Sequence, residues 1–186
     1  MALDQVHALV FDVFGTVVDW RSSVIQEGEA LGRRHGVDVD WPAFADEWRR
    51  DGYLAGIARV RSGEWPWTRV DALHRRKLDE LLPKHGLSGL PETEVAEFNR
   101  VWHRLSPWPD SISGISRLRR EFTVAPLSNG DFALLTNMAK RAGLPWDCIL
   151  AAELFGHYKR DPEVYIGAAR LLDLRPEQVM LVAAHV

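Results

Sequence analysis

The sequence predicts a doubly wound parallel α/β sheet that is interrupted by a long all-helical insertion. A short apolar run, Ala8–Phe11, is typical of a buried parallel strand. Residues 22–105 have a helical pattern throughout, whereas the segment after Pro109 alternates between strand and helix patterns. Because alternating strands and helices indicate a parallel sheet, we expect the first strand and the C-terminal segment to form one discontinuous core.

The insertion has apolar residues at helical spacing, such as Phe44 and Trp48, and prolines that divide it into shorter helices. Four of its tryptophans are expected to build its own core, namely Trp41, Trp48, Trp65 and Trp67. The alternative is that one or two of them line a cleft. We predict a core domain of residues 1–19 and 108–186 and a helical cap of residues 20–107.

The segment after the insertion contains a regular series of elements. The prediction is a helix from Asp110, a strand at 122–127, a helix at 132–142, a strand at 148–151, a helix at 162–172 and a strand at 179–183. Apolar residues at Phe132, Leu135 and Ala139 support the second of these helices.

Charge and composition exclude several classes of protein. The 186 residues include 23 Lys and Arg against 26 Asp and Glu, so no excess of positive charge is present to bind nucleic acid. Cys148 is the single cysteine, and the N-terminus lacks the pattern of a signal peptide. No run approaches the ~18 apolar residues of a membrane span. These features predict a cytoplasmic protein with neither nucleic-acid nor membrane partners.

Polar side chains follow three of the predicted strands. Asp12 follows the first strand, Ser128, Asn129 and Gly130 follow the second, and Lys159 lies in the loop after the third. Each alone has an ordinary alternative, as a turn residue, a helix cap or a surface charge. Because ligands bind at the carboxyl ends of parallel strands, the combination predicts an anion-binding site that contains a nucleophile.

Three motifs resemble those of the haloacid dehalogenase (HAD) superfamily, and within it the type II L-2-haloacid dehalogenases. They are FDVFGTVVD at residues 11–19, LSNG at residues 127–130 and YKRDPEVY at residues 158–165. The resemblance extends over essentially the whole chain. It implies a HAD-type Rossmann-like core with an inserted helical cap.

The resemblance also implies roles for individual residues. Asp12 is expected to be the nucleophile, and Lys159 to orient its carboxylate. Thr16 and Ser128 are expected to hydrogen-bond and hold carboxylate groups, and Asn129 to face the leaving halide.

In the cap, the sequence Trp48-Arg49 resembles the place where these dehalogenases carry the arginine that meets the substrate. Arg49 is therefore expected to bind the carboxylate of the substrate or the departing halide. The alternative is a surface helix arginine, since Arg50 is adjacent.

Phe14 stands where phosphatases of the superfamily carry a second aspartate, which acts as a general acid and helps to bind magnesium. A phenyl ring can neither donate a proton nor ligate a hard cation. Halide needs no proton in order to leave, and Phe14 suits an apolar wall beside the reacting carbon. The sequence therefore predicts no metal site.

The expected reaction is hydrolysis of L-2-haloalkanoic acids to D-2-hydroxy acids through an aspartyl ester on Asp12, with no metal or organic cofactor. The expected partner is the small haloacid substrate, and a homodimer is compatible with the resemblance. The alternatives are a HAD hydrolase or phosphatase with another substrate, for which magnesium would be needed, and a truncated form with little or no turnover.

Two motifs depart from the family pattern. Arg160 replaces the first proline of the usual Lys-Pro-Asp-Pro, which removes a residue that stiffens the loop. The fourth motif, LVAAHV at residues 181–186, stands where Ser-Ser-Asn and then an acidic residue are expected. His185 is either a replacement hydrogen-bond partner or simply exposed. We expect the acidic residue and the last strand of the sheet to lie beyond Val186, so that the chain is truncated.

Overall fold

The structure is a computed structural model that describes residues 5–184. The strands are β1 (Ala8–Phe11), β2 (Val18–Asp19), β3 (Ser106–Pro107), β4 (Thr123–Ser128), β5 (Leu150–Ala151) and β6 (Val179–Val182). The α-helices are α1 (Trp20–His35), α2 (Trp41–Glu47), α3 (Ala55–Arg61), α4 (Val70–Lys84), α5 (Glu92–Asn99), α6 (Ser111–Leu118), α7 (Phe132–Ala142) and α8 (Pro162–Leu171). A π-helical segment spans Trp48–Leu54, and 3₁₀ turns span Arg100–His103, Ala152–Phe155 and Pro176–Gln178.

The chain divides into two compact units. The core unit comprises the described parts of residues 1–19 and 106–186, and the cap unit comprises Trp20–Leu105. The sequence places the second boundary after residue 107, whereas the structure places it after Leu105. The assignment of these units as separate domains stays a prediction.

The core unit contains a parallel four-stranded sheet with the order β5-β4-β1-β6. Strand β1 lies between β4 and β6, and Phe11 pairs with Pro126 on one side and with Val182 on the other. All four residues of β1 are buried, as expected for a central parallel strand. The predicted α/β fold class is therefore confirmed, and Asp12 emerges from the middle of the sheet at its carboxyl edge.

The element boundaries in the core unit agree with the prediction to different degrees. Helix α7 has the predicted bounds, whereas strand β5 begins at Leu150 rather than at Cys148. The reason is Asp147, whose backbone N–H donates to Val124 O and whose carboxylate accepts from Val124 N, at 2.9 and 2.8 Å. These bonds occupy the β4 backbone at Val124, so pairing with β5 starts only at Leu127. The short antiparallel pair of β2 and β3 was not predicted.

The cap unit has an aromatic core of its own. Trp41 and Trp48 are buried, as predicted, and they pack with Phe44 and Phe98. The prediction was wrong for Trp67, which is 37% exposed. It was also wrong for Trp65, which is only half-buried and lies between the guanidinium groups of two arginines, Arg59 and Arg76.

The helices of residues 5–184 include none with the length and apolar character needed to cross a membrane.

Candidate active site

Asp12 lies at the carboxyl end of β1 and is held on both carboxylate oxygens. Its backbone N–H donates to Val182 O at 2.9 Å, which fixes the residue to β6. The Thr16 hydroxyl donates to Oδ2 at 3.0 Å, and Lys159 Nζ donates to Oδ1 at 2.7 Å. The Asp12 side chain remains 17% exposed, so a small molecule can reach an aligned carboxylate.

A tight turn after β1 brings Thr16 back towards Asp12. The backbone N–H groups of Thr16 and Val17 both donate to Val13 O, at 3.2 and 2.9 Å. Gly15 has φ +91°, a conformation that glycine adopts without steric penalty. The Thr16 hydroxyl oxygen also accepts from the Ala184 backbone N–H at 3.0 Å. Thr16 therefore links Asp12 to the residues that follow β6.

Lys159 is fixed at both ends by the end of β4. Its Nζ donates to Leu127 O at 2.8 Å as well as to Asp12, and its backbone N–H donates to Asn129 Oδ1 at 2.7 Å. The ammonium group is thus held by one carboxylate and one carbonyl, with the side chain only 12% exposed. The peptide bond between Lys159 and Arg160 is cis, and Arg160 is exposed.

Three buried residues, Phe14, Ser128 and Gly130, lie at or just after the carboxyl ends of β1 and β4. The Ser128 hydroxyl oxygen accepts from Gly130 N–H at 3.1 Å, and Ser128 is fully buried. A Cβ on Gly130 would lie 3.3 Å from the ring of Phe14, so the two residues are in close contact. Phe14 stands two residues after Asp12 in the first motif, and its hydrocarbon ring is 1% exposed. A hard cation would find no oxygen ligand in that ring.

Arg49 belongs to the cap unit and lies in the π-helical segment Trp48–Leu54, a type of helix that often marks functional sites. Its guanidinium carbon lies 4.0 Å from the ring centroid of Tyr53 and 5.3 Å from that of Trp20. Arg49 is half-buried, whereas the side chain of Arg50 is 67% exposed and pairs with Asp51. Of the two adjacent arginines, Arg50 is therefore the surface residue.

The structure thus brings Asp12, Thr16 and Lys159 into direct contact, with Asn129 bonded to the backbone of Lys159. Ser128 lies at the same sheet edge but bonds to its own turn. The roles assigned to Ser128, Asn129 and Arg49 stay predictions, and His185 lies outside the described residues.

Three contacts of the site were missed from the sequence, because each of them uses a backbone atom. They join the Leu127 carbonyl to Lys159 Nζ, the Ala184 N–H to the Thr16 hydroxyl and the Lys159 N–H to Asn129 Oδ1. A backbone donor or acceptor leaves no residue-type signal in a sequence. No group of three or more His, Cys, Asp or Glu side chains suited to a metal ion occurs within residues 5–184.

An aspartate carboxylate that accepts from a lysine and a hydroxyl and is still reachable has the arrangement expected of a carboxylate nucleophile. The family model described as haloacid dehalogenase-like hydrolase matches residues 6–182. The chain therefore belongs to the haloacid dehalogenase-like hydrolase family, as its motifs predicted, and it is a hydrolase.

The chain is similar to several named dehalogenases. It is 29% identical to "(S)-2-haloacid dehalogenase 1" of Pseudomonas sp. (strain CBS-3), over 98% of this chain and 78% of that protein. The crystal structure of the L-2-haloacid dehalogenase PA0810 matches with a TM-score of 0.91 and 49% identity, over 97% of this chain and 76% of that one. The crystal structure of the defluorinating L-2-haloacid dehalogenase Rha0230 matches with a TM-score of 0.93 and 42% identity, over 97% and 74% of the two chains.

Proposed function

We propose that this protein hydrolyses the carbon–halogen bond of L-2-haloalkanoic acids and releases D-2-hydroxy acids. The observation that carries the proposal is the Asp12 carboxylate, which receives Lys159 Nζ on one oxygen and the Thr16 hydroxyl on the other, beside the buried ring of Phe14. The relatives named as haloacid dehalogenases support the same substrate class.

In the first step, an oxygen of Asp12 attacks C2 of the haloacid from the side opposite the halogen. The new C–O bond forms as the carbon–halogen bond breaks, and the halide leaves with the bonding electron pair. Attack from the back inverts the configuration at C2, so an L substrate gives a D product. Lys159 and Thr16 contribute by fixing the carboxylate in its attacking orientation.

In the second step, water attacks Cγ of the aspartyl ester. The tetrahedral intermediate collapses with cleavage of the bond between Cγ and the alkyl oxygen, which takes a proton and leaves as the hydroxy acid. Asp12 regains its carboxylate with one oxygen from water, and one proton is released to solvent. The net reaction consumes one water and yields the hydroxy acid, halide and a proton.

Phe14 favours this reaction over phosphoryl transfer. A phosphate ester needs an acid to protonate its leaving alcohol, and the phenyl ring at this position supplies neither a proton nor a magnesium ligand. Halide leaves unprotonated, and an apolar wall around C2 excludes water that would compete with Asp12. We propose that the reaction needs no metal or organic cofactor, so that chloride release continues at the same rate in excess EDTA.

The remaining polar residues complete the proposal. Asn129 Oδ1 accepts from the Lys159 backbone N–H. Its amide nitrogen carries two N–H donors, which suit a departing halide. Arg49, whose planar fork binds carboxylates, meets the carboxylate of the haloacid or the halide. Ser128 is assigned to carboxylate binding. We further propose that the protein acts in the cytoplasm. We also propose that it is a homodimer, and its sedimentation at the concentration used for kinetics tests this oligomeric state.

Chloride release from the two enantiomers of 2-chloropropionate tests the proposal. The L enantiomer is expected to yield chloride and D-lactate in equal amounts, while the D enantiomer is left intact. Phosphate release from a generic phosphate ester with magnesium, in the absence of any chloride release, would contradict it.

A further inference from the structure

Five side chains of the cap unit form a closed ring of stacked contacts that contains Arg49. The guanidinium group lies over Tyr53 on one side and Trp20 on the other. Tyr53 stacks on His74 with centroids 5.6 Å apart, and His74 stacks on Trp102 at 4.1 Å and 9° between planes. Trp102 in turn stacks on Trp20 at 6.1 Å, which closes the ring. We call these residues the aromatic ring of the cap.

The aromatic ring joins four separate segments of the cap unit. Trp20 begins α1, Arg49 and Tyr53 belong to the π-helical segment, His74 lies on α4, and Trp102 lies in the 3₁₀ turn Arg100–His103. The orientation of the guanidinium group therefore depends on how all four segments pack.

Close packing holds the π-helical segment against α4. A Cβ on Gly52 would lie 2.8 Å from Lys77 Cβ on α4. The Trp48 indole N–H also donates to the His74 carbonyl at 2.8 Å. His74 is therefore placed against Tyr53 by contacts of the backbone as well as of its own ring.

The imidazole ring of His74 is fully buried without hydrogen bonds to its nitrogens in the part of the chain that the structure describes. Burial lowers the pKa of His74 well below its ordinary value, and the positive charge of Arg49 and the neighbouring His103 lower it further. The imidazole is thus neutral, and what it supplies to the ring is a flat surface for stacking.

We propose that His74 is a positioning residue for Arg49, which it holds in one orientation through the plane of Tyr53. The inference rests on the proposed function, in which Arg49 meets the haloacid. In this role His74 touches neither the substrate nor the reacting atoms. It acts on Arg49 through Tyr53, on which both side chains stack.

Two substitutions at His74 distinguish the effect of a flat ring from the effect of a filled, buried site. His74→Phe keeps a planar neutral ring and is expected to keep the kinetic constants close to those of the wild type. His74→Leu fills the site with a side chain that is not flat, and it is expected to change KM or kcat about tenfold, the factor for loss of one hydrogen bond to a charged group. The constant that changes is expected to be the one that Arg49→Lys changes.

A destabilised cap is the alternative explanation, and Leu81→Ala is the matched control. Leu81 is fully buried on α4, two helical turns after His74 and outside the aromatic ring. It is expected to lower the thermal midpoint of unfolding without altering the balance between KM and kcat. If Leu81→Ala reproduces the kinetics of His74→Leu, or if His74→Phe is as impaired as His74→Leu, the inference is wrong.

The orientation of Arg49 can also be read without a substrate. Its Nε–H resonance, assigned by its loss in Arg49→Lys, is expected upfield of exposed arginines in the wild type and in His74→Phe because of the ring currents of Tyr53 and Trp20. In His74→Leu it should move towards the exposed position, and an unmoved resonance overturns the inference. Absence of chloride release by the wild type would instead overturn only the proposed function.

Discussion

Lys159 Nζ lies 2.7 Å from Oδ1 of Asp12, although the two residues are 147 positions apart in the chain. The contact exists because β1 and β4 are adjacent parallel strands, and Leu127 near the end of β4 supplies the carbonyl that holds the other side of the ammonium group. The lysine is therefore placed by the sheet rather than by a flexible loop alone. Its charge and its position act together on one oxygen of the nucleophile.

Replacement of Lys159 by methionine is expected to lower kcat on L-2-chloropropionate by on the order of 100-fold, the usual cost of removing one preorganised donor from an active site. Methionine keeps an unbranched side chain that is one atom shorter, and it removes the charge and the donor. Steady-state chloride release measures the effect. Lys140→Met is the control, because Lys140 is an exposed lysine on α7, and it should behave as the wild type. An active Lys159→Met enzyme would refute the role of the contact.

Thr16 is expected to act through its hydroxyl group, which donates to Asp12 Oδ2 and accepts from Ala184 N–H. Thr16→Val keeps the shape of the side chain but removes both bonds, and kcat should fall about tenfold as one hydrogen bond to a charged group is lost. Thr16→Ser keeps the hydroxyl and should retain most of the activity. Equal rates for the two variants would contradict the role assigned to the hydroxyl group.

Much of the core unit could be predicted because its signals are local. The apolar run of β1 and the apolar spacing of α7 gave correct bounds, and the rule that ligands bind at the carboxyl edge of a parallel sheet placed Asp12 near Lys159. Strand β5 was predicted too long because Asp147 takes over the β4 backbone at Val124, a contact between distant segments that no local pattern reports.

The structure of the cap unit could be predicted less completely from the sequence. A period of 3.6 residues does not distinguish a π-helical segment from an α-helix, so the segment that carries Arg49 and Tyr53 was read only as helix. His74 has no motif around it, and its importance comes from contacts with Tyr53 and Trp102 in other segments. Only the packed structure brings these residues together.

The stability of the protein is expected to fall in mild acid because of His74. Its pKa in the folded state lies well below the ordinary value of 6.5, so below pH 6.5 the unfolded chain binds a proton that the folded chain does not. The stabilisation is complete above pH 6.5 and is lost as the pH falls from there towards the pKa of the folded state. At pH 5.5 we expect a loss on the order of 1 kcal/mol.

Urea unfolding at pH 7.5 and pH 5.5 measures this loss, with His74→Phe as the control. The carboxylates of the protein contribute to the acid dependence of both proteins, so the difference between them isolates His74. The wild type should lose more stability than His74→Phe over this interval, by on the order of 1 kcal/mol. An equal loss in the two proteins would mean that His74 is protonated in the folded state without cost.

Formation of an ester on Asp12 can be followed in a single turnover in water labelled with ¹⁸O. With enzyme in excess over L-2-chloropropionate, we expect ¹⁸O to enter the Asp12 carboxylate and the lactate of this first turnover to be unlabelled, and we expect Asp12→Asn to release no chloride. Mass spectrometry of the lactate and of the peptide that contains Asp12 measures both outcomes. Labelled lactate with an unlabelled Asp12 would rule out the ester, because water would then have attacked C2 itself.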